Sequence, residues 1–268
     1  MKDKVVIITG ASSGIGKACA IDFAARGAKV VCASRNIDEL KKLENSLTQK
    51  GYDAFAVKTD VTVEEECKHL IDKTLEKYGK IDILLNNAGI SMRALFKDVD
   101  LAVMKKLLDV NFWGAVYCTK YALPYILQSK GSVVGVTSIA GFHGLPGRSG
   151  YSASKFALHG FLETLRIENL KNGLHVLIAA PGFTASNVRK SALLADGTPQ
   201  GESPLNENKL IPAEKVAQKI AKGILHRKRN IIISFEGKIS VLLQRIIPTS
   251  LDKLFYNHMA KEPNSPFK

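Results

Sequence analysis

The sequence predicts an α/β protein built on a single doubly wound parallel β-sheet with helices on both faces. Short runs rich in β-branched residues alternate with longer amphipathic stretches along most of the 268 residues. The runs are apolar at nearly every position, as in "KVVIIT" at 4–9, which is typical of strands that are buried on both faces. Because parallel strands need crossover connections, repeated alternation of strand and helix favours a parallel sheet.

Each predicted element follows from this alternation and from the turn residues at its ends. Gly27 and Gly51 are placed to end the first two helices, since glycine readily adopts the left-handed backbone found there. The predicted strands are 4–9, 29–34, 53–60, 81–89 with its turn, 132–137, 175–179 and 230–234. The predicted helices are 14–27, 37–51, 63–79, 101–128, 152–172 and 213–226.

The composition is that of an ordinary globular protein with a strong basic excess. The net charge of +13 indicates solubility or an anionic ligand, which would be a cofactor, a membrane surface or nucleic acid. No zinc-finger, RNP or helix-turn-helix pattern accompanies the charge, so we expect no nucleic-acid partner.

The four cysteines and the N-terminus bear on the cellular compartment. The cysteines lack metal-ligand spacing, so we expect no metal site and structural thiols in a reducing cytosol. The N-terminus lacks the pattern of a secretory signal, and no apolar run reaches the ~18 residues of a spanning helix. These features predict a cytoplasmic protein.

A glycine-rich turn, "TGASSGIG" at 9–16, lies between the first predicted strand and the first helix. Its glycines allow close approach of the backbone to a ligand, and the free N–H groups of the helix start suit a pyrophosphate. "NNAG" at 86–89 follows another strand, at the edge where open α/β sheets bind ligands. The pattern predicts a Rossmann-type dinucleotide site with these residues: Gly10, Ser12, Ser13, Gly14, Ile15, Gly16, Asp60, Val61, Asn87, Ala88 and Gly89. Asp60 would accept from the adenine amino group; alternatively it caps helix 63–79.

The stretch "CASRN" at 32–36 bears on the choice of cofactor. Dinucleotide folds that bind NAD often carry an acid here to hold the adenosine ribose. This chain instead has Ser34 and Arg35. A guanidinium donates to phosphate bidentately, and Ser34 avoids the repulsion that an acid would cause. We therefore expect NADP(H), with Ser12 as a further donor; the alternative is a solvated surface arginine.

The reacting residues are predicted from a spacing and from a sheet edge. "YSASK" at 151–155 places Tyr151 and Lys155 on one face of a helix, where an ammonium group would lower the pKa of the phenol and make it a general acid or base. Ser138 ends the preceding strand, where its hydroxyl could bond a substrate carbonyl oxygen. Asn111 lies inside a long helix between apolar neighbours, which favours a polar role in the interior.

Two segments interrupt the alternation. Residues 181–212 form a connection too long for an ordinary turn and are interpreted as a substrate loop. The catalytic domain is placed at 1–237 and a basic amphipathic extension at 238–268. Pro248 should break this extension. We expect two short helices that pack over the substrate mouth or a partner subunit; alternatively, 238–258 contacts an anionic membrane peripherally.

These motifs, in this order, resemble those of the short-chain dehydrogenase/reductase family, in its Tyr-x-x-x-Lys branch. The resemblance covers about 4 to 235 and includes "TGASSGIG", "NNAG", "VNFWG", "TSIAG", "YSASK" and "PG". The loop beginning "PGFTASNVRK" is also similar to that of the dehydrogenase/reductase member 7B-like subgroup.

The resemblance implies a role for each matching residue. Tyr151 would exchange the proton, Lys155 would lower its pKa and bond the nicotinamide ribose, and Asn111 would hold a water in a proton relay. Ser138 would orient the substrate oxygen. The residues expected beside the nicotinamide and diphosphate are Pro181, Gly182, Thr184 and Ser186. Family members form homodimers or homotetramers.

The predicted function is an NADP(H)-dependent oxidoreductase that acts on a carbonyl or a secondary alcohol. The apolar loop and tail suggest a lipophilic substrate such as a β-keto lipid, a ketosphingoid or a steroid. The alternative is a nucleotide-binding redox sensor, or a membrane-surface binding protein, without turnover.

Overall fold

A seven-stranded parallel sheet forms the centre of the molecule. The computed structural model describes residues 1–185, 188–202, 210–261 and 265–267. The strands are β1 (Val5–Thr9), β2 (Lys29–Ser34), β3 (Ala54–Lys58), β4 (Ile83–Asn86), β5 (Ser132–Val136), β6 (His175–Ala180) and β7 (Asn230–Ile232). Their order is β3-β2-β1-β4-β5-β6-β7, and every pairing is parallel, which confirms the predicted fold class.

Helices cover both faces of this sheet. They are α1 (Gly14–Ala25), α2 (Ile37–Thr48), α3 (Glu64–Tyr78), α4 (Leu101–Leu108), α5 (Gly114–Gln128), α6 (Ser149–Glu168), α7 (Ala213–Leu225), α8 (Phe235–Ile246) and α9 (Pro248–Ala260). β1 shows why the strands are apolar throughout: Val6 and Ile8 join the core beneath α1 and α7, while Val5 and Ile7 join the core beneath α3 and α5.

The direction of winding reverses beside β1. Val6 pairs with Val30 of β2 on one side and with Ile83 of β4 on the other. Such a reversal opens a crevice at the carboxyl ends of the strands, where open α/β sheets bind their ligands. The glycine-rich turn follows β1 directly, so the fold places it in this crevice.

Two helices differ most from their predicted bounds. The helix predicted at 101–128 contains a π-helical segment, Asp109–Trp113, between α4 and α5. α6 spans Ser149–Glu168 instead of 152–172, and Gly150 in its first turn packs closely in the interior: a Cβ there would lie 2.7 Å from Met104 Sδ and 2.9 Å from Leu107 Cδ1.

The extension forms two helices that meet at Pro248. This proline occupies the first turn of α9, where its missing N–H has no consequence. α8 begins at Phe235 and runs through Gly237, whose position leaves no room for a Cβ against Ile139 Cδ1. In α9, Leu251 and Met259 are buried. The two short helices expected in the extension are present, and none of the described helices is long and apolar enough to cross a membrane.

Candidate active site

The glycine-rich turn forms a cradle that side chains would fill. Gly10 has a φ of +66°, and a Cβ on it would lie 2.9 Å from Ala88 Cα. A Cβ on Gly16 would collide with Gly10 O and lie 2.6 Å from Asn87 Nδ2. Ser13 precedes α1 with extended backbone, and its side chain makes no capping bond. The N–H groups of the first turn of α1 are therefore available to an anion, which fits a dinucleotide pyrophosphate.

Hydrogen bonds connect this turn to Asn87 and Ala88, which follow β4, the neighbour of β1 in the sheet. Thr9 Oγ1 accepts from Asn87 N and Ala88 N, both at 3.0 Å. Asn87 Nδ2 donates to Thr9 O at 2.9 Å and to Gly10 O at 3.3 Å. The predicted cofactor segments 10–16 and 87–89 thus lie side by side, and the hydrogen bonds of Asn87 hold them together.

The predicted adenine side of the site is formed by β2 and β3. Ser34 Oγ donates to Asn36 O at 3.4 Å, and Arg35 is exposed without a hydrogen bond or ion pair to a described residue. Lys58, which sequence reasoning missed, lies opposite Ser34 in the β2–β3 register and is also exposed. Lys58 and Ser34 are neighbours only because β2 pairs with β3 in this register. Local sequence patterns do not show such a pairing.

Asp60 and Val61 follow β3 at the same edge. Asp60 Oδ1 accepts from Thr62 N at 3.0 Å and from Thr62 Oγ1 at 2.8 Å, so Asp60 forms a local turn and does not cap α3. Val61 is buried and touches the place where a Cβ on Gly114 would lie, at 2.7 Å. Val61 therefore packs against the first residue of α5.

Asn111 lies in the π-helical segment and is buried. Its Oδ1 accepts from Ile90 N at 2.8 Å, while its Nδ2 donates to Ile90 O and Ser154 Oγ, both at 2.9 Å. π-helical turns often occur at functional sites. Here the side-chain amide of Asn111 is held by the backbone of Ile90 and by Ser154 of α6.

Gly89 lies between Asn111 and Lys155. The point where a Cβ of Gly89 would stand is 3.1 Å from Asn111 Oδ1 and 3.4 Å from Lys155 Nζ. One small polar atom at about this point would reach both groups. The predicted residues Gly89, Asn111 and Lys155 are therefore brought together.

Lys155 is buried in α6, and its Nζ donates to Val136 O at 2.9 Å. Burial lowers its pKa to about 8. The ammonium lies 5.8 Å from the centroid of the Tyr151 ring. Lys155 is thus fixed on the same face of α6 as Tyr151, as their spacing predicts.

Burial raises the pKa of Tyr151, while a hydrogen bond from Ser138 and the positive charge of Arg148 oppose the rise. Desolvation is thus the largest influence on the phenol, and Arg148 is a cation that opposes it; the lowering by Lys155 stays a prediction. Ser138 also accepts from Ala140 N at 3.2 Å, which holds its hydroxyl at the end of β5.

Arg148 is a residue of this site that sequence reasoning missed. It is buried, and its NH1 donates to Met92 O at 3.0 Å and to Ser91 Oγ at 3.3 Å. The signal that could have found it is its position, three residues before Tyr151 at the start of α6.

The residues expected beside the nicotinamide follow β6. Pro181 and Thr184 are buried, and Thr184 Oγ1 donates to Gly182 O at 3.0 Å. A Cβ on Gly182 would lie 2.5 Å from Ser234 Oγ, so only glycine fits there. Ser186, also predicted to bind the cofactor, lies outside the described residues.

Sequence comparison finds a known family and many relatives. Residues 4–196 match the family described as short chain dehydrogenase. An uncharacterized oxidoreductase, YxnA, of Bacillus subtilis is 35% identical over 99% of this chain and 76% of its own length. An 11-beta-hydroxysteroid dehydrogenase 1A of Arabidopsis thaliana is 33% identical over 93% and 73%. The dehydrogenase/reductase SDR family member 7B of Mus musculus is 31% identical over 99% and 84%.

Comparison of folds finds solved structures with bound nicotinamide cofactors. A short chain dehydrogenase/reductase from Burkholderia phymatum in complex with NAD superimposes with a TM-score of 0.81, at 24% identity, over 91% of this chain and 93% of that one. An alcohol dehydrogenase from Thermococcus sibiricus complexed with 5-hydroxy-NADP gives 0.76, at 24% identity, over 86% and 96%. At this identity the likeness establishes the fold.

Proposed function

This chain belongs to the short chain dehydrogenase family, and from that membership we propose that it is an NADP(H)-dependent oxidoreductase acting on a carbonyl or a secondary alcohol. The observation that carries the proposal is the joining of Asn111, Ser138, Tyr151 and Lys155 beside a glycine cradle that fits a dinucleotide. Bound nicotinamide supplies the hydride chemistry, while the chain supplies binding, orientation and proton transfer.

Tyr151 is the general acid in the direction of reduction. Its raised pKa keeps the phenol protonated at neutral pH, so a proton is available to the carbonyl oxygen as negative charge develops there. The Ser138 hydroxyl, which also acts to lower the pKa of the phenol, would orient the same oxygen. In the opposite direction the phenolate would accept the proton of an alcohol.

Lys155 and Asn111 would hold a water that belongs to a proton relay serving Tyr151. Nδ2 of Asn111 uses both of its hydrogens, on Ile90 O and Ser154 Oγ, whereas Oδ1 keeps one lone pair beyond its bond to Ile90 N. A water near Gly89 would accept from Lys155 and donate to this lone pair. The same Lys155 ammonium would bond the ribose of the cofactor.

The preference for NADP(H) is supported by charge at the end of β2. Ser34 stands where an acid would hold the ribose of NAD, and Arg35 and Lys58 add two exposed cations around it. A phosphate on the ribose would meet two positive charges and no adjacent carboxylate in this register.

A lipophilic substrate is supported by exposed apolar side chains in the 181–212 loop and in α8. Phe183, Leu194 and Phe235 are exposed, and α8 also presents Leu242 and Ile246 to solvent. Relatives named as hydroxysteroid dehydrogenases agree with this class of substrate. The same surface would contact an anionic membrane peripherally in the cytoplasm, with Lys238, Arg245 and Lys253 supplying charge.

A homodimer or homotetramer is supported by a second apolar surface. Trp113 and Phe156, on the helices that carry Asn111 and Tyr151, are 44% and 46% exposed. Aromatic residues at this exposure are typical of the centre of a protein interface. Burying them against a second copy would leave the reacting face of α6 unchanged.

The test is a screen of cofactor oxidation with NADPH and NADH in parallel. We would offer β-keto acyl thioesters, ketosphingoids, ketosteroids and small diketones. The proposal predicts turnover of at least one apolar ketone, with a lower KM for NADPH. Tight NADPH binding without turnover of any ketone would favour the redox-sensor alternative, and a preference for NADH would contradict the cofactor assignment alone.

A further inference from the structure

The first helix of the extension, α8, carries a row of exposed apolar side chains. Successive residues of a helix turn by ~100°, so Phe235, Ile239, Leu242 and Ile246 lie within an arc of about 60°. These four side chains are between 42% and 73% exposed. Gly237, which is buried, lies on the opposite side of the helix. The row, which we call the α8 stripe, is therefore the outer face of α8.

A group of lysines lies along one side of the α8 stripe. Lys238 is about 60° from Phe235 around the helix, on the side where Arg245 also lies, and both cations are exposed. Lys215 and Lys219 of α7 are exposed as well. Partial burial lowers the pKa of Lys219, and the positive charges of Lys215 and Lys238 lower it further. The three ammonium groups, which we call the lysine cluster, are therefore close together.

The lysine cluster has no carboxylate partner in the described part of the chain. Lys219 Nζ donates to a backbone oxygen at 2.8 Å, and neither Lys215 nor Lys238 forms an ion pair there. The acids of α7 and α8 are Glu214 and Glu236, and neither pairs with the cluster. Like charges at close range repel one another, so an anion beside the cluster would be favourable.

The charge of the lysine cluster selects what covers the α8 stripe. In a two-fold interface between copies the same patch meets itself, so the lysine cluster of each copy would approach that of the other. An anionic lipid bilayer is complementary instead. Its headgroups would meet the ammonium groups, while its acyl chains would cover the apolar side chains of the stripe.

The α8 stripe lies beside the candidate active site. The Cβ that Gly182 lacks would stand 2.5 Å from Ser234 Oγ, which also accepts from Gly237 N at 3.0 Å and caps α8. The Cβ that Gly237 lacks would collide with Ile139, the neighbour of Ser138. α8 therefore begins in contact with the segment expected beside the nicotinamide and with the segment that carries Ser138.

We propose that α8 docks on an anionic lipid bilayer, with the α8 stripe at the boundary between headgroups and acyl chains and the lysine cluster among the headgroups. The carboxyl edge of the sheet then faces the bilayer, so a lipophilic substrate enters the site from the membrane. This last step rests on the proposed function, whereas docking itself needs neither cofactor nor turnover.

The experiment is co-sedimentation of the full chain, without cofactor, with vesicles of phosphatidylcholine that contain or lack phosphatidylserine. We expect binding to the anionic vesicles that weakens as salt is raised. A cation near an anionic membrane strengthens binding about fivefold, so Lys215→Gln combined with Lys238→Gln should weaken it about 25-fold. Lys50→Gln combined with Lys68→Gln, at two exposed lysines outside the cluster, is the matched control and should not.

A second pair of variants tests the α8 stripe. Leu242→Ser combined with Ile246→Ser should weaken vesicle binding about tenfold or more, because the bilayer loses apolar area to cover. Leu170→Ser combined with Leu225→Ser, at two exposed leucines outside the stripe, should leave binding unchanged. Since all four side chains are exposed, we expect these variants to fold.

Two tryptophan probes test the orientation on the bilayer. Phe235→Trp places a probe in the α8 stripe, and Leu170→Trp places one between α6 and β6, at the amino edge of the sheet. Brominated lipids should quench the first probe and not the second, relative to wild type, whose single tryptophan is Trp113.

The proposal is overturned if the chain does not bind anionic vesicles, if either variant pair binds them as tightly as its control, or if both probes are quenched equally. A change in oligomeric state of the Leu242→Ser, Ile246→Ser variant without a change in vesicle binding would identify a second copy as the occupant. Vesicle binding without turnover of any ketone would contradict the proposed function alone.

Discussion

The reacting groups lie at the same edge of the sheet as Arg35 and Lys58, which we call the cofactor rim. The two regions are built differently. Asn111 and Lys155 are buried, and their polar atoms are held by backbone at 2.8–2.9 Å. Arg35 and Lys58 are exposed, and the structure describes no bond that fixes either guanidinium or ammonium. The first region is preorganised for chemistry. The second has side chains that are free to move toward an anion.

This difference predicts where substitutions act. A change at Tyr151 or Asn111 should reduce turnover and leave cofactor affinity almost intact, because these groups are already in place before binding. A change at the rim should alter affinity for one cofactor and leave the maximum rate almost intact.

The largest effect is expected for Tyr151→Phe, which removes the proton but keeps the ring. A positioned general acid contributes ~10²–10⁴-fold, so kcat should fall by about that factor. Tyr121→Phe, at a half-buried tyrosine hydrogen-bonded to Glu64 and outside the site, is the matched control and should keep full activity. Steady-state rates with NADPH measure both, and full activity of Tyr151→Phe would show that another group transfers the proton.

The next effect concerns the rim. Ser34→Asp combined with Arg35→Ala should raise the KM for NADPH by about 10- to 100-fold, since a charge-assisted bond to phosphate contributes ~1.5–3 kcal/mol. The KM for NADH should fall or stay constant. Lys58→Met should raise only the KM for NADPH, by about two- to fivefold, the range of an exposed charge pair. Equal KM changes for both cofactors in these variants would contradict the phosphate assignment.

A smaller effect is expected for Gly89→Ala, which tests the gap between the buried groups. The new methyl would stand 3.1 Å from Asn111 Oδ1 and 3.4 Å from Lys155 Nζ, where we place the water of the proton relay. Displacement of that water should lower kcat about tenfold, since small misplacements of reacting groups are costly. Gly160→Ala, where a Cβ meets nothing within 4 Å, should leave kcat unchanged.

The two regions also differ in how far sequence predicts them. Tyr151 and Lys155 are separated by one helical turn, so local spacing suffices to place them together. Lys58 reaches Ser34 only through the register of two strands, and His143 meets Asp252 and Phe255 only because the extension folds back over the catalytic loop. The π-helical segment around Asn111 depends on Ile90, 21 residues earlier. Contacts of this kind have no period in the sequence.

Arg148 belongs to neither region. Replacing it separates the effect of its positive charge on Tyr151 from the effect of its hydrogen bonds. It is buried like the reacting groups, yet it influences Tyr151 through its positive charge. That charge stabilises the phenolate and lowers the pKa of Tyr151, so Arg148→Met should raise the pKa further. The protonated acid would then persist to higher pH, and the alkaline limb of the reduction rate should move upward in pH.

The pH dependence of the rate decides whether Arg148 acts through its charge or only through its hydrogen bonds. In alcohol oxidation the phenolate is the base, so the rising limb of the rate should move upward in pH as well. Arg148→Lys retains the charge and should move either limb less than Arg148→Met does. A guanidinium that acted only by bonding Ser91 and Met92 would, when replaced, lower the maximum rate at every pH and leave both limbs where they are.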